Sequence, residues 1–250
     1  MPLSSEFSPV IAQQLMHRSI RAFTSESIPS RTLDLLIQAG QSAASSNFIQ
    51  AYSVIRVTRP ETRSAVATLA GGQHWIERAA EFLVFCADLR RADAACRAHE
   101  LGEIEGYSEH GLTAVIDTAL MAQNLLLAAE SLGLGGVFIG AIRNDPARVA
   151  ELLELPELVT PLFGLCLGWP ADDPQVKPRL PYEVVLHQDV YRDPSPRTLA
   201  DYDARMADYY AARSTNRRSG DWSSTTAGAL QGKKREGLLE FMRLRGFFRC

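Results

Sequence analysis

His17-Arg18-Ser19-Ile20-Arg21 gathers an imidazole, a hydroxyl and two guanidiniums just past the end of an amphipathic stretch. Guanidiniums this close repel unless an anion lies between them, and a planar fork beside a hydroxyl or imidazole donor suits a phosphate. The alternative is a basic helix end that caps its own carbonyls. Lys177 and Arg179 flank Pro178 in a proline-rich loop. The proline ring stiffens the backbone between two cations, as phosphate clamping requires, although a solvated loop with two charges has the same composition. Arg213, Arg217 and Arg218, followed by Trp222, form a third basic cluster in a stretch poor in core residues, either a solvated loop or a flap for an anionic cosubstrate. Ser45-Ser46-Asn47, and Gln73 after Gly71-Gly72, offer uncharged hydrogen bonders that suit a heteroaromatic ring as well as ordinary turns.

Other chemistries are missing. There is no G-x-S-x-G, P-loop or H-E-x-x-H pattern. The run from Gly133 to Gly140 is like a dinucleotide glycine fingerprint, but Phe138 occupies the last glycine's position, and the glycines follow a helix and precede a strand, the reverse of the required order. What remains is a tight helix-to-strand turn, or a strand end where bare backbone N–H groups approach a flat ligand. The five histidines show no H-x-x-x-H or H-x-H spacing, so no metal site is expected. Cys86, Cys96, Cys166 and Cys250 have no C-x-x-C spacing, so a disulfide framework is not expected either.

These residues need a scaffold, and the composition supplies one. With 46% hydrophobic and 22% charged residues among 250, the chain has the make-up of a globular protein with one large core or two small ones. The most apolar stretch, 112–140, contains Asp117, Gln123, Asn124 and Glu130, too polar for hydrocarbon, so it reads as a buried helix plus strand. No secretory signal is legible in the first twenty residues, and a cytoplasmic location is expected. The net charge of −3 hides an asymmetry: from Arg213 on, nine Lys or Arg face Asp221, Glu236 and Glu240, a basic tail of +6 on a body of −9. Without interleaved aromatics, nucleic acid is the weakest of its possible partners.

Periodicity and caps predict helices from Ser8-Pro9 to His17, from Pro29-Ser30 to the 42–47 run, over 61–70, over 112–132, after Asp145-Pro146, over 201–213 and over 233–244. Strands are expected over 51–57, 81–86, 137–139 and 162–167, with 184–186 as a further one, and 214–232 reads as a mobile loop. Helices and strands mix without βαβ alternation, which favours an α+β three-layer domain over a doubly wound sheet.

The anchors His17–Arg21, Ala44–Gln50, Gly71–Gln73, Ala128–Gly140, Leu162–Pro170, Lys177–Arg179 and Arg213–Arg218, in this order along essentially the whole chain, resemble the oxygen-insensitive NADPH-dependent FMN nitroreductases and the related NADPH:FMN flavin reductases. The resemblance implies a homodimer with a mostly antiparallel central sheet of four or five strands flanked by helices. It also implies an FMN-binding core over 1–200, continued by a C-terminal helical arm over 201–250 that embraces the partner.

On this resemblance the FMN phosphate lies among His17, Ser19, Lys177 and Arg179, with Arg18 nearby. Arg21 and Gln73 face the ring, Ser45, Ser46 and Asn47 come from the partner subunit, and Phe138, Ile139 and Gly140 line the ring with backbone. Arg213 and Arg218, crowded by Arg217, grip the NADPH phosphates. Asn47 stands where relatives often carry serine, and Ala141 where a second glycine is common. The implied activity is two-electron reduction of nitroaromatics, quinones and similar flat acceptors in ping-pong turnover, the flavin doing the chemistry without a protein acid, base or nucleophile. A flavin reductase that releases reduced FMN, and a non-catalytic flavin or nucleotide sensor, are the alternatives.

Overall fold

The computed structural model describes residues 8–213, 219–232 and 235–250. Helix α1 (Pro9–Leu15) opens as expected, Ser8 Oγ accepting the Ile11 N–H, with proline where a missing N–H breaks no helical bond. Then follow α2 (Ser30–Gln41), β1 (Tyr52–Arg56), α3 (Pro60–Leu69), α4 (Trp75–Arg78), β2 (Glu81–Asp88) and α5 (Arg90–Ala98). The long α6 (Ser108–Ser131) leads to β3 (Gly135–Ile139), α7 (Pro146–Leu152) and β4 (Val159–Gly168). After these come α8 (Tyr182–Val185), α9 (Pro196–Ala212), α10 (Trp222–Gly232) and α11 (Leu238–Leu244).

The four strands pair antiparallel in the order β1-β2-β4-β3. Every residue of β2 is buried, as a central strand covered on both faces requires. Its alternation divides the core: Phe82, Val84 and Cys86 meet Val66, Ile76 and Val149 from α3, α4 and α7, whereas Leu83 and Phe85 meet Leu36, Met121, Leu125 and Leu126 from α2 and α6. The result is the expected three-layer α+β arrangement. Between Phe85↔Phe163 and Cys86↔Pro161 the register slips by one residue. Pro161 cannot donate to the ladder, so a bulge is where a mid-sheet proline fits. The Leu162 carbonyl beside it accepts from Arg143 Nη1.

The chain divides into two units, one reaching Asp173 and resuming at Arg235, the other beginning at Pro174. In the first, Phe247 is fully buried beside Ala87, Leu89 and Ala114, and the Cys250 carbonyl accepts from Ser108. In the second, Tyr202, Met206 and Tyr210 form the buried stripe of α9.

Three expectations need correction. Residues 182–185 are a helical turn begun after Pro181, not a strand. Residues 222–232, expected as loop, are helical: Asp221 caps the first turn by accepting the Ser224 N–H and hydroxyl, and the helix forms although it buries no residue. The last helix starts at Leu238, because Gly237 is its N-cap rather than an interior residue. One helix among the described residues, α6, is long and apolar enough to cross a membrane, but half of that span is buried in the protein and its inner face packs on the sheet and α2.

Candidate functional site

Residues 17–24 pass the start of β3 and then the residues that follow β4. Ile20 N–H donates to the Gly136 carbonyl at 3.0 Å, Phe23 bridges Pro170, and Thr24 N–H donates to the Trp169 carbonyl at 2.9 Å. Ile20 is buried, so alternation leaves Ser19 half-buried and Arg21 exposed on the opposite side. The glycine run makes this approach possible. Gly133 takes φ +83° to turn the chain out of α6, and a Cβ on Gly135 would strike Ile20. Of the two readings of this run, the turn holds at Gly133, while Gly135 lies bare against a protein side chain.

His17 and Arg18 stand at the start of the segment with different commitments. His17 Nδ1 lies 2.6 Å from Glu130 Oε1, near the end of α6, leaving Nε2 as the ring's other polar atom. Arg18 pairs with Asp173 at 2.5 Å and caps the Met16 carbonyl, so much of its charge is already answered. Arg21 lies with its guanidinium 5.9 Å from the Trp75 ring centre, beside the Gly71–Gln73 turn, in which Gly71 and Gly72 have positive φ. Gln73 is half-buried, its Nε2 donating to the Ala70 carbonyl. Trp75 Nε1–H is buried and meets no acceptor among the described residues.

At the end of β3 Phe138 is exposed between the buried Val137 and Ile139, its ring edge-on to Phe163. Gly140 follows, backed by Arg143, whose Nη2 would lie 3.1 Å from a Cβ there. Burial, and secondarily Arg235, lowers the pKa of Arg143.

Ser45, Ser46 and Asn47 belong to a loop held from the other half of α6. Asp117, buried, accepts the Ser45 hydroxyl at 2.7 Å, the Ser46 N–H at 2.9 Å and the Ala51 N–H at 3.2 Å. Ser45 Oγ also accepts the Gln50 N–H, so its hydroxyl is used within the chain, while Ser46 and Asn47 face outward. Between these ties Asn47, Phe48 and Gln50 take positive φ, and Phe48 is 80% exposed. Asp117 and Glu130 are thirteen residues apart on one helix, about 20 Å at 1.5 Å per residue. The loop and the His17 segment are therefore anchored far from one another in a single chain.

The second unit carries Lys177 and Arg179. Tyr202 donates its hydroxyl to the Pro178 carbonyl at 3.0 Å and Tyr209 to the Gln175 carbonyl at 3.3 Å, pinning the proline loop onto α9. Both cations are exposed, Lys177 Nζ lying 5.4 Å from the Tyr210 ring centre. Burial raises the Tyr202 pKa, with Arg179 opposing. Arg213, at the end of α9, lies over Tyr209 at 6.0 Å. Arg217 and Arg218 lie outside the described residues. No group of His, Cys, Asp and Glu among the described residues could hold a metal.

Sequence reading passed over Glu130, Asp117, Trp75 and Arg143 as site residues. The two acids had a signal, a carboxylate in the most apolar helix of the chain; Trp75 and Arg143 had none.

The nitroreductase family profile matches residues 15–169, and the profile of that family's C-terminal domain matches residues 177–249. The chain is 47% identical over 240 residues, 96% of its length and 98% of the relative's, to an oxygen-insensitive NADPH nitroreductase of Salmonella typhimurium. Crystalline nitroreductase A of Vibrio parahaemolyticus superposes with a TM-score of 0.90 at 42% identity, covering 98% of this chain and 100% of that one. The NADPH:FMN oxidoreductase of Vibrio harveyi, solved with NAD+, gives 0.89 at 41% identity, covering 97% and 100%.

Proposed function

The chain belongs to the nitroreductase family, and from that premise we propose that it is an FMN-dependent oxidoreductase that uses NADPH to reduce nitroaromatics, quinones and similar flat acceptors. One observation carries the reading: the segment from His17 to Arg21, with its imidazole, hydroxyl and guanidiniums, is tied by Ile20 to Gly136 at the start of β3, beside the exposed Phe138 end of that strand's sheet. The residues fit FMN. Exposed Phe138 offers a flat ring an aromatic edge beside Gly140, and the buried Trp75 N–H has no acceptor among the described residues.

When bound, FMN supplies the redox chemistry, accepting hydride from NADPH and delivering an electron pair to the second substrate in a separate half-reaction. By the family resemblance, His17, Ser19, Lys177 and Arg179 would contact the phosphate. Arg18, tied to Asp173, has a secondary part at most. Arg21, steadied over Trp75, would set positive charge beside the ring where negative charge accumulates, and Gln73 would hydrogen-bond the ring edge. Phe138, Ile139 and Gly140 would border the ring. Because no residue need act as acid, base or nucleophile, the protein's part is to bind, orient and neutralise charge. Arg213, with Arg217 and Arg218, would hold the NADPH phosphates.

The reading includes a homodimer. Leu112, Ile116 and Leu120 form an exposed apolar stripe on α6, and α1 buries none of its residues while exposing Val10, Ile11 and Leu15. With the Ser45–Asn47 loop anchored about 20 Å along α6 from His17, that loop serves the partner's flavin, and the C-terminal arm embraces the partner. Free thiols, two of them buried, suit a reducing compartment such as the cytoplasm. The partners are small molecules, without nucleic acid or membrane.

The test is NADPH oxidation by the purified protein with menadione or a nitroaromatic as acceptor. Rapid oxidation is expected, and its absence would favour the sensor reading. Labelled FMN that stays out of the protein during turnover distinguishes this enzyme from a flavin reductase that releases its product.

A further inference from the structure

We propose that Glu130 is a positioning residue for the flavin phosphate, acting through His17; this rests on the reading that places the phosphate at His17. The Glu130 side chain is 7% exposed and the His17 side chain 25%, so the carboxylate is closed off while the ring still reaches solvent. Their 2.6 Å contact involves Nδ1 and Oε1. Glu130 Oε2 is buried and accepts no hydrogen bond among the described residues. Arg18 lines the same cavity of about 330 Å³ but directs its terminal nitrogens to Asp173 and the Met16 carbonyl. The hydrogen bond that answers this buried carboxylate therefore comes from His17.

Two consequences follow for the imidazole. A carboxylate at Nδ1 fixes the ring's orientation, since the ring turns about one axis and the short contact sets the angle. It also commits Nδ1, so that Nε2 is the ring nitrogen left to face the phosphate. An unpaired carboxylate near a phosphate would repel it, so Glu130 favours binding only by way of His17.

The experiment compares dissociation constants for FMN and riboflavin in wild type, Glu130→Gln, His17→Gln and the double variant. Riboflavin lacks the phosphate and reports general damage to the pocket. Glu130→Gln is expected to weaken FMN about tenfold while riboflavin changes little, and to have no further effect in the His17→Gln background. An unchanged or tighter FMN constant in Glu130→Gln, or the same loss with and without His17, overturns the proposal. An FMN affinity untouched by His17→Gln overturns instead the placement of the phosphate, and the proposal with it.

Discussion

Arg21 and Ser45, both proposed to lie near a flavin, are held in different ways. Arg21 is exposed, and its guanidinium lies over Trp75, so it is held without being buried. Replacing it with Ala should leave FMN bound, because the phosphate contacts lie elsewhere, but lower kcat by about tenfold to a hundredfold, the scale of a lost electrostatic contact to developing charge. Stopped-flow and steady-state rates on the yellow variant check this, and unaltered turnover would assign the ring-facing charge to another residue. Ser45, in contrast, donates to Asp117 and accepts from Gln50, so its hydroxyl is structural. The outward pair Ser46 and Asn47 is what the loop has left to offer a ligand.

Among the elements, α6 organises the site from both halves, Asp117 holding the 45–51 loop and Glu130 holding His17. Asp117→Ala would strand one hydroxyl and two backbone N–H groups, at a cost of about 3 kcal/mol. The expected outcome is a lower Tm together with protease cleavage near Phe48; unchanged stability and an intact loop would show that the positive-φ turn holds itself. The core strands β2 and β4 and helix α6 were legible beforehand as long apolar runs, and α1 and α7 by their Ser-Pro and Asp-Pro caps. Helix α5 was not, because the charged pairs Arg91–Asp88 and Arg97–Asp93 flank and lace it, and no apolar stripe marks it. Helix α10 hid behind serine and threonine that composition assigns to loops. Residue type alone left the His17–Arg21 and Lys177–Arg179 cations open between a phosphate site and a solvated loop, and what Asp117 and Glu130 hold depends on which distant segments fold against α6, of which local spacing carries no trace.

At the scale of the whole molecule, the sequence sets a basic tail of +6 on an acidic body of −9. The cations of the second unit, Arg213 among them, are the part of the account that concerns cosubstrate choice. Arg213→Ala should raise KM for NADPH severalfold or more while leaving that for NADH nearly unchanged, because only NADPH carries the extra phosphate. Equal changes for both would remove the 2′-phosphate role. The claim beneath all of these is that the chain holds FMN and that NADPH reduces it there. Anaerobic titration of the purified protein with NADPH, followed through the visible flavin band and with the dimer confirmed by gel filtration, tests it most directly. The account expects a yellow dimer bleached by one equivalent of NADPH per subunit and recoloured by menadione; a colourless protein that binds no added FMN, or a flavin band that NADPH leaves intact, would contradict it.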